Sequence, residues 1–325
     1  MTLPWTRNQA SSSGQVFEFR LWAALVEQSR GGLHVFLPLS DRGIDALVHR
    51  LSDGKYFRVQ AKGRASLVDG EVHLVVWASG LLDDEALLVS GLVVEGGLGP
   101  TMLVVPVGDF KRLAALTSAD GVAVYSTGFG MRPRSDSRWL PWLVPSETLI
   151  ERFGVTIGAE AAVVQELLPR PTWRSDVGFL GEAEVVRLLA EGTELNLFRP
   201  FPDLETAEVV ALHLESRRVL GMQVKTVGVD AAHPSQKVTV LASSFRPSPD
   251  TYVVALAWLR EEGRFHEEGL FIPSERVPDI AQPDASHELK FDWHPGSSAH
   301  GQLDPYRGRL IDLRNRVMLR LIRYV

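Results

Sequence analysis

The chain has 325 residues, 45% hydrophobic and 23% charged, which is enough for two ordinary folded domains. It contains no cysteine, which excludes disulfides, thiolate zinc sites, iron–sulfur clusters and a cysteine nucleophile, and agrees with a cytoplasmic location. A net charge of −6 argues against a general electrostatic grip on nucleic acid, so any contact with DNA must come from local patches or a bound metal.

The opening segment, residues 1–15, has no apolar core behind positive charge, so no signal peptide is expected. Phe17, Leu21, Ala24 and Leu25 recur at helical spacing and predict a helix over 14–29. A strand (34–39), a hairpin (44–62) and a strand (71–78) follow. The most apolar stretch, 85–110, is broken by Glu95, a glycine cluster and two prolines. It reads as two buried strands and a turn rather than a membrane span, so no membrane partner is expected. Residues 110–116 read as helical, and a further helix is expected from Pro145. The second half predicts a helix over 178–191, strands near 208–214, 219–225, 237–243 and 251–259, and an Arg-rich amphipathic helix at 306–325.

The halves resemble each other. Gln60 and Lys62 align with Gln223 and Lys225, and Gly14 and Glu18 align with Gly178 and Glu182. Pro141-Trp142 aligns with Pro305-Tyr306, and Leu149 with Leu313. The nearly constant separation predicts a duplication: one domain over 1–157, a connector over 158–172 and a second domain over 173–325. Helix, strand meander, then mixed strand and helix gives an α/β fold class, each copy a mixed central sheet flanked by helices.

The hairpin carries the chemistry. Gln60 and Lys62 lie two apart and so share a face of their strand with Arg58. If Asp53-Gly54 form a two-residue loop, Asp45 comes directly opposite Lys62. The same construction in the second copy, with Ser216-Arg217 as the loop, sets Glu208 opposite Lys225. That loop has no Gly or Asn, and Asp203, aligned with Asp41, is the alternative acid. Taken singly, such a pair reads as a surface ion pair worth under about 1 kcal/mol. Its recurrence, with a Gln two before each Lys and a helix-borne Glu upstream, points to a site. Carboxylate and amide oxygens are hard ligands suited to Mg²⁺ or Mn²⁺. Asp45, Gln60 and the Ala61 carbonyl, with Lys62 beside them to offset charge and help generate a nucleophile, suit a phosphodiester substrate.

Glu18 on the first helix, Asp41-x-Gly43-x-Asp45, then Val59-Gln60-x-Lys62 resembles the PD-(D/E)XK nuclease superfamily, nearest its Mrr and Holliday-junction-resolvase branch. The resemblance implies two tandem restriction-endonuclease-like domains and Mg²⁺-dependent (or Mn²⁺-dependent) phosphodiester cleavage. It implies Asp45 and Gln60 as metal ligands, Lys62 as the catalytic lysine and Glu18 as the assisting helix acid. In the second copy Glu182, Gln223 and Lys225 match, with Glu208 as the candidate acid and Gln223 and Glu208 as ligands. There the Asp-x-Gly-x-Asp run is absent, so that copy is a candidate for a degenerate site. The implied substrate is DNA, with RNA open, in defence or repair; the sequence shows no separate recognition segment, so specificity is expected to be low or supplied by a protein partner. Arg132, Arg134, Arg309 and Arg316 are candidate phosphate contacts. The competing expectation is a catalytically inactive nucleic-acid-binding or scaffold subunit. The nine histidines show no ligand spacing and are expected to be scattered.

Overall fold

The computed structural model describes residues 7–40, 42–95, 97–156, 175–201, 207–242, 245–283, 288–297 and 301–322. The protein is mixed α/β, with mixed sheets and flanking helices. It divides into two compact units: Met1–Val35 with Asp41–Val164, and Phe36–Ser40 with Gln165–Val325. The predicted connector lies mostly outside the described residues.

Unit 1 begins with α1 (Arg7–Gln28), the first half of β1 (Leu33–Pro38), β2 (Ala46–Arg50), β3 (Lys55–Arg64) and β4 (Glu71–Trp77). It continues with β5 (Leu87–Val94), β6 (Gly97–Leu98), β7 (Thr101–Pro106), α2 (Val107–Leu113), β8 (Ala115–Ala119), β9 (Val122–Gly130) and β10 (Leu143–Pro145). Its main sheet runs in the order β10-β7-β5-β3-β2-β1. β3 and β5 are parallel, while β2–β3, β5–β7 and β7–β10 are antiparallel. A second sheet, β4-β9-β8, stands apart.

Unit 2 has α3 (Ser175–Leu189), β11 (Leu195–Phe201), β12 (Val209–His213), β13 (Val219–Val229), β14 (Gln236–Leu241), β15 (Thr251–Leu259) and β16 (Arg264–Pro273). Then come α4 (Val277–Ile280), β17 (Gln282–Pro283), β18 (Glu288–Trp293), β19 (Arg307–Arg309) and α5 (Leu313–Ile322). Its main sheet, β19-β16-β15-β13-β12-β11, repeats the order and strand senses of unit 1, including the parallel β13–β15 pair. Its second sheet is β14-β18-β17.

α1 forms because Phe17, Leu21 and Leu25 make one stripe, and all three are fully buried. The stripe lies on β3. A Cβ added at Gly63 would fall inside Phe17, so only glycine lets the helix come this close. Unit 2 makes the same approach with the sizes exchanged: Gly181 on α3 faces Thr226 on β13.

Three predicted elements differ. The helical reading of 110–116 ends early: α2 starts behind Pro106 and stops at extended Ala114, and β8 follows. The helix expected from Pro145 is a 3₁₀ segment, Ser146–Phe153, interrupted at Thr148. Among the described residues of the terminal Arg-rich stretch only Leu313–Ile322 is α-helix, because Arg307–Arg309 pair with Glu268–Leu270 of β16.

Candidate active site

The β2–β3 hairpin does not have the predicted two-residue loop. Arg50 pairs with Lys55 and Ala46 with Val59, so the loop is residues 51–54 and the register is two residues away from the predicted one. Two contacts draw Leu51 and its neighbours out of the ladder. Leu51 N–H donates to the Gly32 carbonyl (3.0 Å), and the Arg50 guanidinium grips Asp53 at 2.9 and 2.5 Å. That guanidinium holds the Asp53 carboxyl down to about 2. β12–β13 shows the same shift: Leu212 pairs with Val219, and Arg217 takes the positive φ (58°) that Gly54 (72°) takes in unit 1.

A shift of two residues keeps every side chain on its face. Asp45 therefore moves abreast of Gln60 instead of Lys62, and the lysine reaches it diagonally. Lys62 Nζ donates to Asp45 Oδ2 at 3.2 Å, and the Ala61 N–H donates to the same oxygen at 2.7 Å. Gln60 is buried, and its Nε2 donates to the Gly80 carbonyl at 3.2 Å. Asp45 and Lys62 keep 15% and 31% of their side-chain exposure, so the pair opens to solvent over a buried amide.

Unit 2 builds its counterpart with a longer acid. Glu208 Oε2 accepts the Val224 N–H (2.7 Å) and Oε1 accepts Lys225 Nζ (3.1 Å), above the buried Gln223. Glu208 thus occupies the place of Asp45. Asp41, Asp203 and Glu205 lie outside the described residues.

The clusters differ in what they leave open. In unit 1 both donors converge on Oδ2. Neither Asp45 Oδ1 nor Gln60 Oε1 accepts a hydrogen bond from a described residue. In unit 2 each carboxylate oxygen of Glu208 already has a protein donor, and burial pushes this carboxyl up against the opposing pull of Lys225. Among the described residues no three His, Asp or Glu side chains converge. Mg²⁺ commonly takes one or two carboxylates and completes its shell with water and phosphate oxygens, a demand that Asp45, with one oxygen free of any donor among the described residues, and Gln60 fit better than Glu208, whose two oxygens each hold one.

The remaining candidates are dispersed. Glu18 is half-buried on α1, and Phe17 beside it covers the face of β3 that carries Gly63; by strand alternation Lys62 is on the other face. Glu182 has the equivalent position on α3, next to Gly181 and its contact with Thr226. Arg132 is exposed, and Arg134 is bound to Asp136 at 3.1 and 3.0 Å. Arg316 donates to the carbonyls of Tyr306 and Arg307, which fixes it inside the fold, whereas Arg309 is exposed. Sequence reasoning missed Asp83. It is buried and receives Arg58, on the Lys62 face of β3, at 2.5 Å, while Arg58 also reaches Glu85 at 2.9 Å. Only the position of Arg58 on that face signalled it. The histidines are not all scattered: His34 and His49 are buried, near enough for each charge to oppose the other, and burial lowers both to about 4.

No family model matches the chain, and no curated protein matches it in sequence. Among the described residues no helix is long and apolar enough to cross a membrane.

Proposed function

We propose that the protein is a metal-dependent nuclease of the PD-(D/E)XK type that cuts DNA in unit 1, with unit 2 a non-cutting copy. One observation carries this reading. Lys62 Nζ stands 3.2 Å from Asp45 Oδ2, while Asp45 Oδ1 and Gln60 Oε1 are left for a further ligand. A bound Mg²⁺ or Mn²⁺ would polarise the phosphate and acidify a water there. The protein groups do the rest. The Ala61 N–H fixes the Asp45 carboxylate, and the Gly80 carbonyl fixes the Gln60 amide with its oxygen free. Lys62, whose side chain is 31% exposed, offsets phosphate charge and orients the attacking water. In unit 2 both oxygens of Glu208 hold a protein donor, so neither stands free beside Lys225 as Asp45 Oδ1 does beside Lys62. A cytoplasmic setting, a protein partner that supplies specificity, and a role in defence or repair belong to the same proposal.

Incubation of plasmid and oligonucleotide DNA with Mg²⁺ or Mn²⁺ tests it. Cleavage should vanish in Lys62→Ala and Asp45→Asn and persist in Lys225→Ala. Cleavage that survives Lys62→Ala refutes the site. A second reading, an inactive nucleic-acid-binding or scaffold subunit, is favoured by the amide of Gln60 and of Gln223 standing where a second carboxylate would bind metal more strongly. DNA binding without cleavage by the wild-type protein would select it.

A further inference from the structure

Unit 2 carries a cleft of ≈ 610 Å³ on the α3 side of its sheet, bounded by α3, the ends of β15 and β16, and the segment after β19. Leu188 and Leu310 at its base belong to the core containing Met222 and Val224, so Lys225 projects from the opposite face of β13. The cleft is therefore separate from the Glu208–Lys225 cluster, and its volume is that of an ordinary small-ligand site.

Two aromatic rings line it. Trp258 and Phe265 meet edge to face with centroids 4.9 Å apart, next to an irregularity in the β15–β16 register between Leu256 and Trp258. Such irregularities re-aim side chains, and both rings here are only half-buried. Ile311, 51% exposed, adds an apolar wall.

The charges narrow the ligand. Arg187 is matched by Glu184 and Glu191, and Arg264 by Glu262. Arg309 has no such partner among the described residues. His266 is committed elsewhere: its Nδ1 accepts the Glu268 N–H at 2.9 Å and its Nε2 lies beside Gly296, which does not line the cleft. The cleft thus offers two aromatic rings set edge to face and one uncommitted guanidinium, with Glu267 as an acceptor. A planar ring with a phosphate fits these groups. One unmatched guanidinium beside an acid suits a singly charged phosphodiester and opposes the several charges of a free nucleoside triphosphate.

We propose that this cleft seats one nucleotide of a single-stranded nucleic acid, its base on Trp258 and its phosphodiester on Arg309. The choice of polymer rests on the nucleic-acid reading above, while the cleft belongs to unit 2 and requires no metal.

The test is fluorescence anisotropy of a labelled single-stranded oligonucleotide on the full chain in EDTA, so that binding is read without cleavage. Trp258→Leu should weaken binding about tenfold because base–aromatic stacking is lost, beyond the small drop in melting temperature expected from losing its packing on Phe265. Arg309→Ala, an exposed position, should flatten the slope of log affinity against log salt by about 0.7, the share of one phosphate on a single strand. Wild-type binding in both variants, or ATP displacing the oligonucleotide as well as unlabelled oligonucleotide does, overturns the proposal. Absence of cleavage in Mg²⁺ with these binding effects intact would remove the nuclease reading and leave the cleft standing.

Discussion

Two buried histidines make unit 1 sensitive to mild acid. His34 and His49 are 6% and 5% exposed, and His49 stacks flat on Tyr56 with centroids 4.1 Å apart. Desolvation dominates both shifts; each imidazolium would also oppose the other, and only the Gly54 backbone and Asp53 favour charge on His49. Both fall from 6.5 to about 4 in the folded state. The unfolded chain therefore takes up protons first as pH drops. The stability tied to these groups is complete above 6.5 and is lost as pH falls from 6.5 toward 4. At pH 5 the loss is about 2 kcal/mol per histidine, at about 1.4 kcal/mol per pH unit, a large part of an ordinary domain's stability. Urea unfolding at pH 7.5, 6 and 5 measures it. His49→Phe keeps the ring on Tyr56 and should remove about half of the pH slope. An unfolding midpoint that is flat between pH 7.5 and 5, or a slope unchanged in His49→Phe, would refute the reasoning.

Close packing and turn geometry give the other expectations. Gly63→Ala drives a methyl into Phe17 and should cost about 1–3 kcal/mol in urea unfolding, and Gly181→Ala should do the same in unit 2 against Thr226. Gly154 ends the 3₁₀ segment at φ 73° beside the Arg50 guanidinium, which also donates to the Phe153 carbonyl at 2.6 Å; Gly154→Ala should lower the melting temperature by several degrees. Asp53→Ala releases Arg50 from the hairpin loop, and hydrogen exchange of the β2–β3 amides should speed up more than that of β5–β7.

The sequence carried the faces of this fold better than its registers. Strand alternation alone puts Gln60 and Lys62 on one side, and a two-residue shift cannot undo that. The register itself depended on Leu51 reaching Gly32 and Arg50 holding Asp53, which no hairpin rule contains. The same dipeptide shows the difference. Asp120-Gly121 has both residues at positive φ and makes the tight two-residue loop between Ala119 and Val122. Asp53-Gly54, with its aspartate gripped by Arg50, does not. The β8–β9 hairpin was thus legible from Asp120-Gly121 and was obscured by the helical look of 110–116. Asp83 was not legible, because only folding brings it the 25 residues back to Arg58. The acid of the second cluster was half legible: pairing arithmetic gave Glu208, and alignment offered Asp203.

A chain that carries one architecture twice risks assembling a helix from one half onto the strands of the other. The interchange of bulk between Phe17–Gly63 and Gly181–Thr226 guards against that error. A swapped α1 would press a phenyl ring onto a threonine, and a swapped α3 would leave a void over a bare glycine. Each helix is therefore shaped to its own strand, and one exchanged between the halves would not fit.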